Sequence, residues 1–180
     1  MKQVDLDMLE TVQLNKKLHD RNSFDCGINA LNDYLAQKAS NSDQRSLTKT
    51  FVLVDSEKPK EIIGFYTLAY ATVSVPDNYP RLANYPHPAP ILKLARMAID
   101  KKFKTHRFGE QLLLDCIRKT ALLAKSDNPA AVIGLFVDAK EGVVGFYKKY
   151  GFIEVDCVNQ KNLYLPIQTC IQTALTIEKG

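Results

Sequence analysis

Apolar and polar positions along this 180-residue chain fall into a short series of periodic segments. Leu31, Tyr34, Leu35 and Ala39 recur at the three- and four-residue spacing that lines one helical face, and the turn-forming peptide Asp25-Cys26-Gly27-Ile28-Asn29-Ala30 leads into them. The spacing stops at Ala39, so Ser40-Asn41-Ser42-Asp43-Gln44-Arg45-Ser46 is expected as a surface loop or a frayed helix end. Residues 51–54 and 62–75 are β-branched and aromatic runs separated by the turn chemistry of Asp55-Ser56-Glu57-Lys58-Pro59-Lys60, which predicts a β-hairpin. Between residues 76 and 90 stand five of the eight prolines, which interrupt ladder hydrogen bonding and predict a long surface loop.

The second half reads as strand 91–99, a helix carrying Leu113, Cys116, Ile117, Ala121 and Ala124 on one face, and strand 131–137. That order is a βαβ unit, with parallel strands and a right-handed crossover. A short helix over 143–150 ends at Gly151, residues 152–155 and 162–165 form strands able to pair, and Ile167, Cys170, Ile171, Ala174 and Leu175 mark a final amphipathic helix. The expected fold is α/β (α+β): a mixed central sheet with flanking helices in a single domain, 1–180.

Composition changes this picture little: 46% hydrophobic and 24% charged residues describe an ordinary globular chain. Apolar runs are too short for a membrane span and the first ten residues lack a secretory apolar core, so a soluble, cytoplasmic protein with no membrane partner is expected. Cys26, Cys116, Cys157 and Cys170 are widely spaced, with no Cys-x-x-Cys pair and no histidine at ligand spacing, so they are read as reduced thiols with no metal site. His19 and His87 have no recognisable acidic or nucleophilic neighbour, and no Gly-x-Ser-x-Gly elbow occurs, which removes support for a hydrolase triad.

Charge is more informative in its distribution than in its sum of +4. The densest cationic stretch, Lys101-Lys102-Phe103-Lys104-Thr105-His106-Arg107, lies where the strand 91–99 feeds the long helix. Cations at a helix N-terminus oppose its dipole, so this is either a solvated basic turn or a site for an anion such as a pyrophosphate. Gly109 is the one glycine there and no Gly-x-Gly-x-x-Gly is present, so it is not a P-loop. A second candidate is Phe146-Tyr147-Lys148-Lys149-Tyr150-Gly151-Phe152, whose phenols are either packing groups or catalytic.

In this order the segments resemble the GCN5-related N-acetyltransferase (GNAT) family. Its acyl-CoA motif, Gln/Arg-x-x-Gly-x-Gly/Ala, falls on Lys104-Thr105-His106-Arg107-Phe108-Gly109, which keeps the last glycine but has Lys104 first and Arg107 fourth. Further matches are Phe24-Asp25-Cys26-Gly27 with Leu31-Asn32 and Tyr34-Leu35, Gly64-Phe65-Tyr66-Thr67-Leu68, Leu94-Ala95-Arg96-Met97-Ala98-Ile99-Asp100, Val137-Asp138-Ala139, Phe146-Tyr147 with Gly151-Phe152, and Leu163-Tyr164-Leu165-Pro166-Ile167. Across about residues 20–170 they are similar to the toxin branch of bacterial toxin-antitoxin pairs. The resemblance implies a mostly antiparallel sheet with a parallel, splayed strand pair, acetyl-CoA as cosubstrate, acetylation of the α-amino group of aminoacyl-tRNA with a block to translation, and a ribbon-helix-helix antitoxin. A homodimer is compatible with these features.

By that resemblance the backbone of Met97, Ala98 and Ile99 pairs with the pantetheine arm. The turn of Lys104, Thr105, His106, Arg107, Phe108, Gly109 and Glu110 cradles the pyrophosphate, and Tyr147 is the general acid for the departing thiolate. A phenol of reference pKa ~10 is protonated at neutral pH, while an α-amino group at ~7.7–8.0 is already partly neutral and needs little help from a base. Arg45, Lys49, Lys93, Arg96, Lys148 and Lys149 are candidates for a basic surface that holds tRNA. The alternatives are an acetyltransferase for a small amine or a protein N-terminus, and a non-catalytic binding module of the same fold.

Overall fold

A computed structural model describes residues 6–74, 85–125, 127–140, 142–157 and 160–177, with the side chains of residues 105, 156, 157, 160 and 161 excepted. The expected proline-rich loop lies largely outside these residues. Seven strands form one sheet in the order β1-β2-β3-β4-β5-β7-β6. By its contacts the chain divides into two compact units, residues 1–69 with 96–115 and residues 70–95 with 116–180.

In the first unit β1 (Leu9–Gln13) pairs antiparallel with β2 (Lys49–Asp55), which pairs antiparallel with β3 (Gly64–Val73). The predicted hairpin is thus present, and its register is visible in the side chains. Phe51 faces Tyr66 with rings stacked at 5.2 Å, and Thr50 faces Thr67 with their buried hydroxyls 2.9 Å apart. Strand β1 was not foreseen.

The helical segment after Gly27 runs further than its apolar spacing suggests: α1 (Asn29–Asp33) passes through a π-turn, Tyr34–Lys38, into α2 (Ala39–Gln44). The polar stretch expected as a loop or frayed end is therefore helical to Gln44. Ser40-Asn41-Ser42-Asp43-Gln44 carries no apolar residue, so a continuation of the helix leaves no hydrophobic period to read. Tyr34, Leu35 and Ala39 pack in one core with Phe24, Cys26, Val52, Val54, Ile62 and Phe65.

The βαβ order follows: its strand pairing lies in the second unit, while residues 96–115, the end of its first strand and the start of its helix, belong to the first. Strand β4 (Ala89–Ile99) pairs parallel with β5 (Gly134–Asp138) at Leu92↔Leu135 through Leu94↔Val137, on either side of α3 (Phe108–Leu122). The last five residues of β4 run beyond the last registered pair with β5. Helix α4 (Val144–Lys148) is followed by Gly151 at φ +87°, the left-handed residue expected there. Strands β6 (Ile153–Cys157) and β7 (Gln160–Pro166) pair antiparallel, β7 also pairs antiparallel with β5, and α5 (Ile167–Ile177) follows. Tyr164 packs on Phe136 at 4.7 Å and donates its hydroxyl to Ile133 O at 2.8 Å. Cys26, Cys116 and Cys170 are free thiols, and among the described residues no group of acidic, histidine or cysteine side chains could hold a metal. No helix among the described residues is long and apolar enough to cross a membrane.

Candidate active site

The basic turn after β4 is a 3-10 helix, Lys101–His106, built on a buried cap. Asp100 is 1% exposed; its Oδ1 accepts from Lys102 N and its Oδ2 from Asp25 N, both at 2.9 Å. Phe103 within the turn and Phe108 at the start of the next helix are buried, and His106 stacks on Phe108 at 5.2 Å. Arg107, the motif position where the family carries glycine, takes a left-handed backbone at φ 57° and ψ 20°. Helix α3 starts at the next residue, so its first-turn N–H groups and the positive end of its dipole open at this turn.

The geometry sorts the cations of this stretch. Lys101 pairs with Asp25, Lys102 lies 3.9 Å from Glu61, and Arg107 pairs with Glu110 at 2.8 Å. Lys104 is exposed, makes no ion pair among the described residues, and projects toward Gly27, its Nζ 3.9 Å from where a Cβ there would stand. The Thr105 side chain lies outside the described set, while Gly109 and Glu110 are half-buried in the first turn of α3.

Asp25 has no signature of a site residue in the sequence beyond its place in Phe24-Asp25-Cys26-Gly27, a stretch that carries part of the resemblance. Its carboxylate accepts from Lys101 Nζ, from Gly27 N at 2.9 Å and from Asn32 Nδ2 at 2.9 Å, and these three donors hold its pKa well below the usual carboxylate range. Asn32 Oδ1 in turn accepts from Cys26 N at 3.0 Å. The left-handed Gly27 (φ +84°) turns its N–H back to the carboxylate.

Met97, Ala98 and Ile99 are half-buried at the end of β4. Gly64 at the start of β3 lets that backbone come close: a Cβ there would strike Ile99 Cδ1 and stand 3.0 Å from Ala98 O and from Leu112 Cδ1. Just before this stretch, Arg96 lies over the Tyr34 ring with its guanidinium carbon 3.8 Å from the centroid.

Tyr147, in the second unit, is 6% exposed and makes edge contacts with Phe146 and Phe152. Its hydroxyl has no hydrogen-bond partner among the described residues, and it is not one of the sealed, unpartnered polar atoms there, which are His19 Nε2 and Ser40 Oγ. Burial, and secondarily Cys116, push its pKa up to about 12. The proton is therefore held firmly through the neutral range. Tyr150 sits against Phe146 at 5.5 Å and is half-buried.

Of the candidate tRNA contacts, three are engaged within the chain: Lys49 with Asp43 at 2.6 Å, Lys93 with Asp138 at 2.5 Å, and Lys148 with Glu154 at 2.7 Å. Arg45 and Lys149 are exposed and make no ion pair among the described residues.

No family model matches the chain. It is 31% identical over 115 residues to the tRNA-acetylating toxin of Mycobacterium tuberculosis (strain ATCC 25618 / H37Rv), covering 63% of this chain and 68% of that protein. It is 24% identical over 164 residues to the probable toxin TacT of Sinorhizobium fredii (strain NBRC 101917 / NGR234), covering 87% and 90%. Among solved structures, a tyrosine-to-phenylalanine mutant of KacT matches with a TM-score of 0.81 at 26% identity, over 92% of this chain and 98% of that one. AtaT complexed with acetyl-methionyl-tRNAfMet shares the fold with a TM-score of 0.79 at 22% identity, over 96% and 99%. The sheet, its parallel pair and these likenesses define a GNAT-fold toxin. Within that class, the chain belongs to the family of tRNA-acetylating toxins.

Proposed function

We propose that this protein transfers the acetyl group of acetyl-CoA to the α-amino group of aminoacyl-tRNA and so blocks translation. The observation that carries the proposal is membership of the tRNA-acetylating toxin family. The local chemistry supports it: a strand end that outruns its parallel partner, a turn with an exposed lysine, and the N-terminus of a 15-residue helix suit an extended pantetheine arm followed by a pyrophosphate.

Acetyl-CoA, when bound, supplies an activated thioester carbonyl. The backbone of residues 97–99 aligns the pantetheine by strand-like hydrogen bonds, and a backbone N–H at this strand end stabilises the developing oxyanion. Lys104 and the first-turn N–H groups of α3 hold the phosphates, with Arg107 offsetting the charge of Glu110. Tyr147 donates its hydroxyl proton toward the departing sulfur. With a phenol near pKa 12 and a thiol near ~8.5, full transfer is uphill, so Tyr147 acts as a hydrogen-bond donor that completes transfer late. The acylated nitrogen gives up one proton, which restores the Tyr147 hydroxyl by way of solvent, so the products are the N-acetylated aminoacyl-tRNA and the CoA thiol.

A protein with these substrates works where translation does, so the proposal includes a cytoplasmic location. A ribbon-helix-helix antitoxin is the expected neutralising partner, in keeping with the similar fold of an AtaT mutant toxin bound to the C-terminus of the antitoxin AtaR. Labelled acetyl-CoA incubated with the purified protein and bulk charged tRNA tests the reading. Label should enter charged tRNA and not deacylated tRNA, and label found only in free amines or protein N-termini would refute it.

A further inference from the structure

We infer that Asp25 is a positioning residue for acetyl-CoA: it ties the chain before α1 to the 3-10 turn after β4 and thereby sets the backbone that receives the pyrophosphate. This rests on the proposed acetyl-CoA site. A 3-10 turn has poorer hydrogen-bond geometry than an α-helix, and this one exits through an arginine in the left-handed region, where a Cβ is crowded by the following carbonyl. Such a turn needs ties from outside to keep one conformation, and Asp25 provides them from both main chain and side chain. Lys101 N donates to Asp25 O at 2.9 Å, Asp25 N donates to Asp100 Oδ2 at 2.9 Å, and Lys101 Nζ meets the Asp25 carboxylate.

The other end of the tie is rigid. Gly27 N and Asn32 Nδ2 both donate to Oδ1 while Lys101 takes Oδ2, and the preceding residue, Phe24, is buried edge-on against Phe65 at 5.4 Å. Asp25 and Lys101 are both substantially exposed, so their charge attraction alone is worth little to stability; what the pair contributes is geometry. It also ties the Lys101 ammonium to a carboxylate, leaving Lys104 as the lysine of the turn with no ion pair among the described residues.

The test is calorimetric titration of the full chain with acetyl-CoA, with steady-state kinetics on charged tRNA and urea unfolding in parallel. Asp25→Ala should raise both Kd and KM for acetyl-CoA about 10-fold, because an unset turn must be ordered on binding, while kcat at saturation stays within about 3-fold. Lys101→Met should weaken binding about 3-fold, and the double variant should be no worse than Asp25→Ala alone. Lys101 is exposed, so its variant carries the test should Asp25→Ala fail to fold. Unchanged Kd in the folded variants, with only urea stability lost, would reduce Asp25 to a structural residue and overturn the inference. Tighter binding by Asp25→Ala would also overturn it, since Lys101 would then be a masked phosphate ligand. A wild-type chain that bound no acetyl-CoA would overturn the functional reading and this inference with it.

Discussion

Arg107 holds a left-handed backbone at φ 57° and closes an ion pair with Glu110 at 2.8 Å. The glycine of the family motif would meet the backbone requirement at no steric cost, whereas an arginine meets it under strain and brings a cation that covers an acid in the first turn of α3. Arg107→Gly should therefore leave stability equal or higher by up to about 1 kcal/mol, and Arg107→Val should lose about 1–2 kcal/mol, because a β-branched residue tolerates this conformation worst. Glu110→Gln should tighten acetyl-CoA binding about 2- to 5-fold while costing about 0.5 kcal/mol of helix stability. Urea titration and calorimetry read the two effects separately.

Gly64 should be irreplaceable for a reason of space. A Cβ there would strike the Ile99 side chain and crowd Ala98 O, so Gly64→Ala should cost about 2–3 kcal/mol and displace the strand end at residues 97–99. Thermal unfolding gives the first effect. A loss of acetyl-CoA affinity in the protein that remains folded gives the second.

Much of this was legible in the sequence, and the exceptions have physical causes. The hairpin of β2 and β3, the βαβ unit, the Gly151 cap and the final helix all follow from periodicity and turn chemistry. Strand β1 escaped because Leu9-Glu10-Thr11-Val12-Gln13 is short, lies at the sheet edge and breaks strict alternation at Val12. The helix beyond Ala39 escaped because residues 40–44 are all polar and leave no apolar period to read. The tie from Asp25 to Lys101 joins residues 76 apart, and no local pattern announces a contact made only by the fold. The cations of the turn looked alike in sequence, and only the structure separates Lys104 from neighbours that already have carboxylate partners.

Alkaline pH should unfold the protein through its buried acids. Tyr147 is held at about 12 against ~10 unfolded, so its contribution is intact below pH ~10 and is lost as pH rises toward 12, worth about 3 kcal/mol. Burial also raises the Cys170 thiol to about 12, which adds a loss of the same sign that begins near pH 9. Denaturant midpoints should fall steeply from pH 9 upward, and Tyr147→Phe should flatten part of the slope. Over pH 7–9 activity should rise with neutral amine and show no descending limb from Tyr147, as a pH–rate profile would reveal.

Charge neutralisation should separate the tRNA contacts. Arg45→Gln and Lys149→Gln should each lower the salt slope of charged-tRNA binding by about 1, whereas Lys49→Gln, Lys93→Gln and Lys148→Gln should have smaller effects, because those lysines must first leave a carboxylate. Filter binding across a salt series gives the slopes.

The central claim is best tested by mass spectrometry of the aminoacyl-adenosine released by nuclease from charged tRNA after incubation with acetyl-CoA and either wild-type protein or Tyr147→Phe. The account predicts an acetyl group on the α-nitrogen in the wild-type reaction. It predicts that Tyr147→Phe forms this product about 10²- to 10⁴-fold more slowly, with acetyl-CoA affinity little changed and Tyr150→Phe close to wild type. Unmodified aminoacyl-adenosine from the wild-type reaction would contradict the account, and a full-rate Tyr147→Phe protein would remove Tyr147 from the chemistry.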